Sequence, residues 1–428
     1  MAELKRQAYA VSPAMNTASP RNDQTIVDSL KASVSPRLPS RVKWLIVSNA
    51  FTSAGVGYLI VYITGYMPEV GFSSGTVGLL VGVFGLVTIV TGIPFGLISD
   101  RMGRKWLLLL GSIGVGPSLA IFALTSGLSY LLVSAILLGL AEAASLTTWN
   151  AIIADQTVKE NRNNAFSWSF VVGTISFGVG SAVPFVFPQL QTALGVSSAT
   201  VHQSFMMFFA LLSVATPVFL VLLLRNYAEV VRPGAKLLKS GPSMRLLLKF
   251  SGINSLIGLG AGFIIPLIPT WFYLKFAIPD TYSGPLLAVS NVTIGLSALT
   301  SSRLAKTYGQ VNSIAMVTGS ATVLMLSLAF VFNPLLAAGL YIARAALMNM
   351  ASPLMDSYLM GIITVEERGL ASAINSIIWR LPNSVSTVLG GSILESGMFD
   401  LPFYLAAGFY AVSVTLFYTV FRKVSPKN

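Results

Sequence analysis

The chain has 428 residues, 54% hydrophobic and only 10% charged, with a formal net charge of +12. Soluble domains carry roughly 25% charge, so a set of soluble domains of this length is excluded. In a soluble protein the positive balance would suggest nucleic acid; here it reads as loop charge that orients a membrane protein, and no nucleic-acid partner is expected.

The charges cluster and leave repeated windows of about 20 residues with none or one, each long enough to cross a ~30 Å hydrocarbon core as a helix. Residues 1–40 are polar, rich in Ser, Pro, Asn and Lys/Arg, and read as a disordered cytoplasmic tail with no secretory signal. From Trp44 onward, apolar runs predict helices over 44–66, 76–99, 106–125, 129–151, 164–187 and 203–224. A polar segment follows, then runs over 246–274, 284–305, 312–332, 335–360, 369–394 and 401–421. The fold class is all-α: a polytopic membrane protein with twelve transmembrane helices in two six-helix pseudo-symmetric bundles. The bundles are placed at 41–225 and 246–422, with a cytoplasmic linker at 226–245 and a short tail at 423–428.

Orientation follows from Lys and Arg. With the N-terminus cytoplasmic, 24 of the 27 bases fall on that side, Lys275 falls opposite, and Arg344 and Arg380 lie inside helices. Both termini are therefore read as cytoplasmic. There is no cysteine, so no disulfide, thiolate zinc site or cysteine nucleophile is available. The one histidine, His202, falls between predicted helices, which sets aside histidine metal sites and His-dependent triads. No metal, no cofactor and no enzymatic activity are expected.

The two halves repeat. An offset of 206 residues pairs Gly78 with Gly284, Gly103 with Gly309, Arg162 with Arg368 and Ala165 with Ala371. Near the starts of helices 1 and 7 the offset is 203, pairing Ser48, Gly55 and Gly57 with Ser251, Gly258 and Gly260. Six helices per half make both copies enter the membrane in the same direction. Parallel repeats with a site between them are a known transporter plan.

The most informative local feature is Gly96-x-x-x-Asp100-Arg101-x-Gly103-Arg104-Lys105 between helices 2 and 3. On these residues, and across residues 40–425, the chain resembles the major facilitator superfamily, whose helix 2–3 loop signature it fits at each fixed position. The second-half copy departs from that signature, with Lys306 where the acid should be. The resemblance implies a conformational latch formed by Gly96, Asp100, Arg101, Gly103, Arg104 and Lys105. In it, Asp100 contacts the N-terminus of helix 11 near Gly369 and pairs with Arg104. A carboxylate at a helix N-terminus is favourable by ~0.3–1 kcal/mol.

Ionisable side chains at membrane depth are costly and usually face a cavity or a partner. Four qualify: Glu142, Arg344, Asp356 and Arg380. The resemblance places helices 1, 4, 7 and 10 around a central cavity and so turns Glu142 toward substrate. An acid in apolar surroundings is suited to proton exchange near neutral pH. Trp149 follows Glu142 at i+7 on the same helix face, with Asn150 beside it. Arg344 opens a helix 10 segment that carries Asn349 and Asp356, and Asn49, Tyr58, Tyr62, Asn254, Trp271, Trp379 and Asn383 are further candidates to shape the pocket. The helix 5 residues Gly173, Gly178, Gly180 and Pro184 resemble a drug–proton antiporter motif, but Val183 stands where that motif has glycine.

The leading reading is a secondary transporter for a small molecule, working by alternating access with protons as coupling ion. Export of an amphipathic or drug-like compound is preferred over uptake. The alternative is an uptake or exchange carrier for a small organic anion that uses Arg344 and Arg380; a further alternative is a membrane sensor without transport. The expected partners are the small-molecule substrate, protons and the lipid bilayer of a plasma (inner) membrane, with the protein as a monomer. ATP-driven pumping is set aside because no Gly-x-x-x-x-Gly-Lys-Ser/Thr phosphate loop is present.

Overall fold

The computed structural model describes residues 38–227, 243–298, 300–364 and 368–424. The expected N-terminal tail and most of the expected linker lie outside these residues. Among the described residues there are twelve membrane-crossing helices and no strand. They are α1 Ser40–Glu69, α2 Ser74–Met102, α3 Arg104–Leu124, α4 Leu128–Asp155, α5 Asn164–Leu194 and α6 Ser198–Leu223. The second half holds α7 Met244–Phe276, α8 Asp280–Ala298, α9 Gln310–Ala329, α10 Pro334–Ile362, α11 Arg368–Glu395 and α12 Leu401–Phe421.

Leucine-rich apolar runs form these helices, and local signals stop and start them. Ser73 accepts from Thr76 N at 3.2 Å at the head of α2, and Asn333 accepts from Leu335 N at 2.9 Å at the head of α10. Such side-chain acceptors satisfy amides that the helix itself cannot. Between α2 and α3 the chain turns at Gly103, with φ 102°, and before α9 it turns at Gly309, with φ 79°. That left-handed region favours glycine, so the repeat seen in sequence is also a repeat of backbone shape.

Ten helices pass as membrane spans on length and hydropathy alone. The two that do not, α8 and α11, are the more polar ones. α8 opens with Asp280 and carries Ser283, Ser290 and Asn291; α11 carries Asn375, Arg380 and Asn383. Inside the first bundle, Ser118 and Ser134 exchange hydrogen bonds at 2.7–2.9 Å, tying α3 to α4. Small polar residues join membrane helices in this way.

The bundles meet unevenly. At the end opposite the Gly103 turn, one apolar core runs across both halves, from Tyr58, Met67 and Phe187 to Trp271, Phe403 and Tyr410. At the Gly103 end the cores are separate: one around Leu45, Leu108 and Ile153, the other around Phe250, Tyr358 and Phe417. The α2–α11 seam follows the same pattern. A Cβ on Gly78 would come within 2.8 Å of Gly391 Cα, whereas one on Gly92 or Gly96 would meet nothing within 4 Å. The molecule is closed at one end and open at the end carrying the Gly103 turn.

Two irregular turns sit at the closed end. α1 relaxes into a π turn over Tyr62–Tyr66, and α7 tightens into a 3-10 turn over Ile265–Leu267. The repeat offset of 203 superposes their starting points. Thr270 Oγ1 donates to Thr64 O at 2.6 Å there, joining the halves.

Candidate functional site

The unequal seam leaves a central cavity with two adjoining lobes, one of about 530 Å³ and one of about 770 Å³. Pro266, Trp379, Arg380 and Asn383 line both, so α7 and α11 form the partition. The first lobe takes Asn49 from α1, Glu142 and Trp149 from α4, and a largely apolar wall including Val56, Phe84 and Phe177. The second takes Asn254, Arg344, Asn349 and Asp356. Pockets of this size, mostly apolar with a few placed polar groups, suit small-molecule ligands.

Glu142 and Arg380 face the same lobe from opposite halves, and Arg380 is the charge that acts on Glu142. Among the described residues Glu142 belongs to no ion pair within 4.0 Å. Both side chains line the cavity itself, where a ligand or water can meet them. The amides on the walls are held in place: Asn383 Nδ2 donates to Gly258 O at 3.0 Å, and Asn349 Nδ2 to Ala345 O at 2.9 Å. Trp149 Nε1 donates to Ser169 Oγ at 2.8 Å, fixing its indole against α5.

Arg344 is 4% exposed. Its guanidinium lies 5.4 Å from the Tyr410 ring centroid and donates to the Tyr410 hydroxyl through Nη2. Among the described residues its Nε has no partner. Asp356 follows twelve residues later on α10, about 18 Å along the axis toward the open end.

Several sequence candidates do not line the cavity. Tyr58 and Tyr62 pack in the shared core instead, where Tyr58 donates to His202 O at 3.0 Å and Tyr62 to Phe122 O at 3.4 Å. Helix geometry is the reason: Tyr58 lies nine residues after the cavity-lining Asn49, about half a turn round α1. Asn150 is exposed and outside both lobes. Trp271 is fully buried behind the cavity, donating to Phe399 O at 3.1 Å.

In the Gly96–Lys105 segment the side chain of Asp100 lies outside the described residues, as does that of Gly369's neighbourhood on α11. Arg104 Nη1 meets Asp155 Oδ2 at 2.6 Å, and Tyr227 donates to the same oxygen at 2.6 Å. Sequence reasoning did not single out Asp155, the last residue of α4.

One expectation is overturned. His202 is not in a connection: α6 begins at Ser198, five residues before the expected start, and His202 is 1% exposed within it. Its Nε2 is 2.8 Å from Asp280 Oδ2 across the seam. The missed signal was Ser197 with Thr200 three residues on, since Ser197 Oγ accepts from Thr200 N at 3.2 Å and caps α6.

Two duplicated six-helix bundles around a central cavity follow the parallel-repeat plan of membrane transporters. The profile of the Major Facilitator Superfamily matches residues 45–249 and again 250–428. The chain belongs to that superfamily. It is 22% identical over 386 residues to Multidrug resistance protein 1 of Bacillus subtilis, covering 87% of this chain and 94% of that protein. It is 20% identical over 372 residues to Quinolone resistance protein NorA of Staphylococcus aureus, covering 85% and 92%. A 29% identical match to Multidrug resistance protein 2 of Bacillus subtilis spans 33% of this chain and only 39% of that protein. Among solved structures, an auto-inhibited POT family peptide transporter superposes with TM-score 0.72 at 12% identity, covering 91% of this chain and 98% of that one. A bacterial homolog of the human lysosomal transporter Spinster, solved inward-facing and unoccupied, gives 0.66 at 14% identity, covering 90% and 97%.

Proposed function

We propose that this transporter exports a small amphipathic compound in exchange for protons, from the inner membrane of a bacterial cell with both termini in the cytoplasm, acting as a monomer. The observation that carries the reading is Glu142, a carboxyl in a largely apolar lobe that is open toward the basic end. A carboxyl there takes and releases a proton as the lobe changes its exposure. The charge across it, Arg380, belongs to the other half, so their relation alters when the halves rock. The drug-resistance roles that the B. subtilis and S. aureus relatives are named for favour efflux.

Arg344 supports a second reading, a small organic anion as cargo. A buried guanidinium whose Nε lacks a partner is an unspent donor beside the second lobe, and a carboxylate would take it up. Both readings are tested in proteoliposomes with an imposed pH gradient and panels of amphipathic dyes and of short carboxylates. Gradient-driven dye accumulation that carboxylates do not compete supports export of amphipaths. Carboxylate-driven counterflow abolished by Arg344→Gln supports the anion carrier, and failure of every compound to exchange removes both.

The Gly96–Lys105 segment is proposed as a latch on the state opposite to this one, because its helix stands clear of α11 at Gly92 and Gly96 here. Asp100→Asn is expected to leave folding intact and lower transport several-fold. An unchanged initial rate in the same vesicles removes the latch.

A further inference from the structure

The closed end holds a second set of ionisable groups, none of which lines either lobe of the cavity. His202 of α6 and Asp280 of α8 are each 1% exposed and meet at 2.8 Å. They come from opposite halves. Glu69, the last residue of α1, accepts from Asp280 N at 2.5 Å and so caps α8 across the seam. Tyr66 stacks on the imidazole, with ring centroids 3.6 Å apart and planes 10° from parallel. Phe187 of α5 meets it edge-on at 4.7 Å, and Tyr62 lies 6.2 Å away. Among the described residues no lysine or arginine pairs with Asp280 or Glu69.

The hydrogen bonds count the protons. His202 Nδ1 lies 2.8 Å from Ser198 O and 3.3 Å from Ser198 Oγ. A carbonyl oxygen only accepts, so Nδ1 carries hydrogen and donates to it. The proton that could neutralise the other face must therefore sit in the gap between Nε2 and Asp280 Oδ2. Without it, a ring lone pair would face a carboxylate in a buried seam that also holds Glu69. With it, the contact is a charge-assisted hydrogen bond, and the flat Tyr66 face favours the positive ring. Burial makes this choice severe, because an unpaired polar group away from water is costly.

We propose that the His202–Asp280 gap is a proton-binding site built into the seam, loaded when this end closes and emptied when it opens. Closing brings imidazole and carboxylate together and takes one proton from the solution on that side. Opening separates α6 from α8, the carboxylate and the ring are hydrated apart, and the proton leaves to water from His202 Nε2. Glu69 raises the demand for that proton by adding a second carboxylate, while its cap on α8 is broken by the same motion. The site depends on the rocking of two halves, not on which compound is carried or on Glu142 as the coupling group.

The sign follows. A solvated histidine changes charge between about pH 5 and 8. Closing takes up one proton and opening releases it, so raising pH favours opening by up to roughly tenfold per unit for one proton.

The chain has no cysteine, so spin labels can be attached at introduced cysteines alone. Leu194 and Leu335, 67% and 82% exposed, stand on opposite halves at the closed end. Distances between labels there would be measured by pulsed electron resonance in nanodiscs, from about pH 5.5 to about 8.5, the span of histidine titration. The expected result is a short-distance population that gives way to a longer one as pH rises. His202→Gln should flatten that response. Asp280→Asn should keep the closed distance but lose its pH dependence, since a carboxamide donates to a neutral Nε2 without an added proton. In a Glu142→Gln background, which removes the share of the response that the cavity carboxyl contributes, His202→Gln should still flatten what remains. A wild-type distribution that ignores pH, or an equal slope in Asp280→Asn, would overturn the proposal.

Discussion

Glu142→Gln is expected to leave the protein folded and able to exchange cargo down its gradient, yet unable to concentrate it against one. The carboxamide matches the carboxyl in size and still forms hydrogen bonds, but it cannot carry a proton. Moving one charge through 100 mV is worth ~2.3 kcal/mol, and each ~1.4 kcal/mol is a factor of ten. Losing a single coupled proton therefore lowers steady-state accumulation by roughly 40-fold at that potential. The measurement is dye or substrate accumulation in vesicles with and without an imposed proton gradient, alongside counterflow as the control. Accumulation that still follows the gradient in the variant removes Glu142 from coupling.

Gly78→Val tests the seam from the other side. The first atom of the new side chain would sit 2.8 Å from both Gly391 Cα and Thr387 O. Neither is the end of a flexible side chain, so α2 and α11 must part at that level. Overpacking costs about 1–3 kcal/mol, and a cost borne by the closed state alone shifts its population by roughly 5–150-fold. A cysteine at Ser145, which lines the first lobe, would then react faster with a membrane-impermeant thiol reagent added from the closed side. Transport should fall together with that shift, while Gly92→Val, placed where the seam is open, changes labelling little. Equal labelling in the two variants would show that the closed end is not held by this contact.

The architecture was legible because the bilayer imposes a simple rule. A chain that cannot satisfy its backbone in hydrocarbon must form helices of about 20 apolar residues, and these stand out even where α8 and α11 dilute the signal with Asp280 and Arg380. Gly103 and Gly309 announced the duplication because each occupies a backbone shape that other residues avoid. The cavity acid was legible for a similar reason, since Glu142 has few other reasons to be at that depth. Side-chain facing was less so. Tyr58 and Tyr62 lie on the same helix as Asn49 but on its far side, and only counting the angle separates them.

The seam contacts were not legible at all. Asp280 is 78 residues from His202 and Glu69 is 211 from Asp280, so no local pattern links them. His202 was hidden further by a helix start placed five residues late, although Ser197 and Thr200 marked the true one. Asp155, which no sequence pattern singled out, is a partner of Arg104 from 51 residues away.

The irregular turns of α1 and α7 have a mechanical consequence. Where a helix departs from its regular ladder, bending concentrates, because the bonds that resist it are already rearranged. The π turn at Tyr62–Tyr66 and the 3-10 turn at Ile265–Leu267 therefore make a short lever of each helix tip beyond them. Duplication has set one lever on either flank of the seam, joined by the Thr270–Thr64 bond. The plug at this end is a pair of hinged flaps fastened to each other, and freeing it asks for two small bends before any wholesale tilt of the bundles.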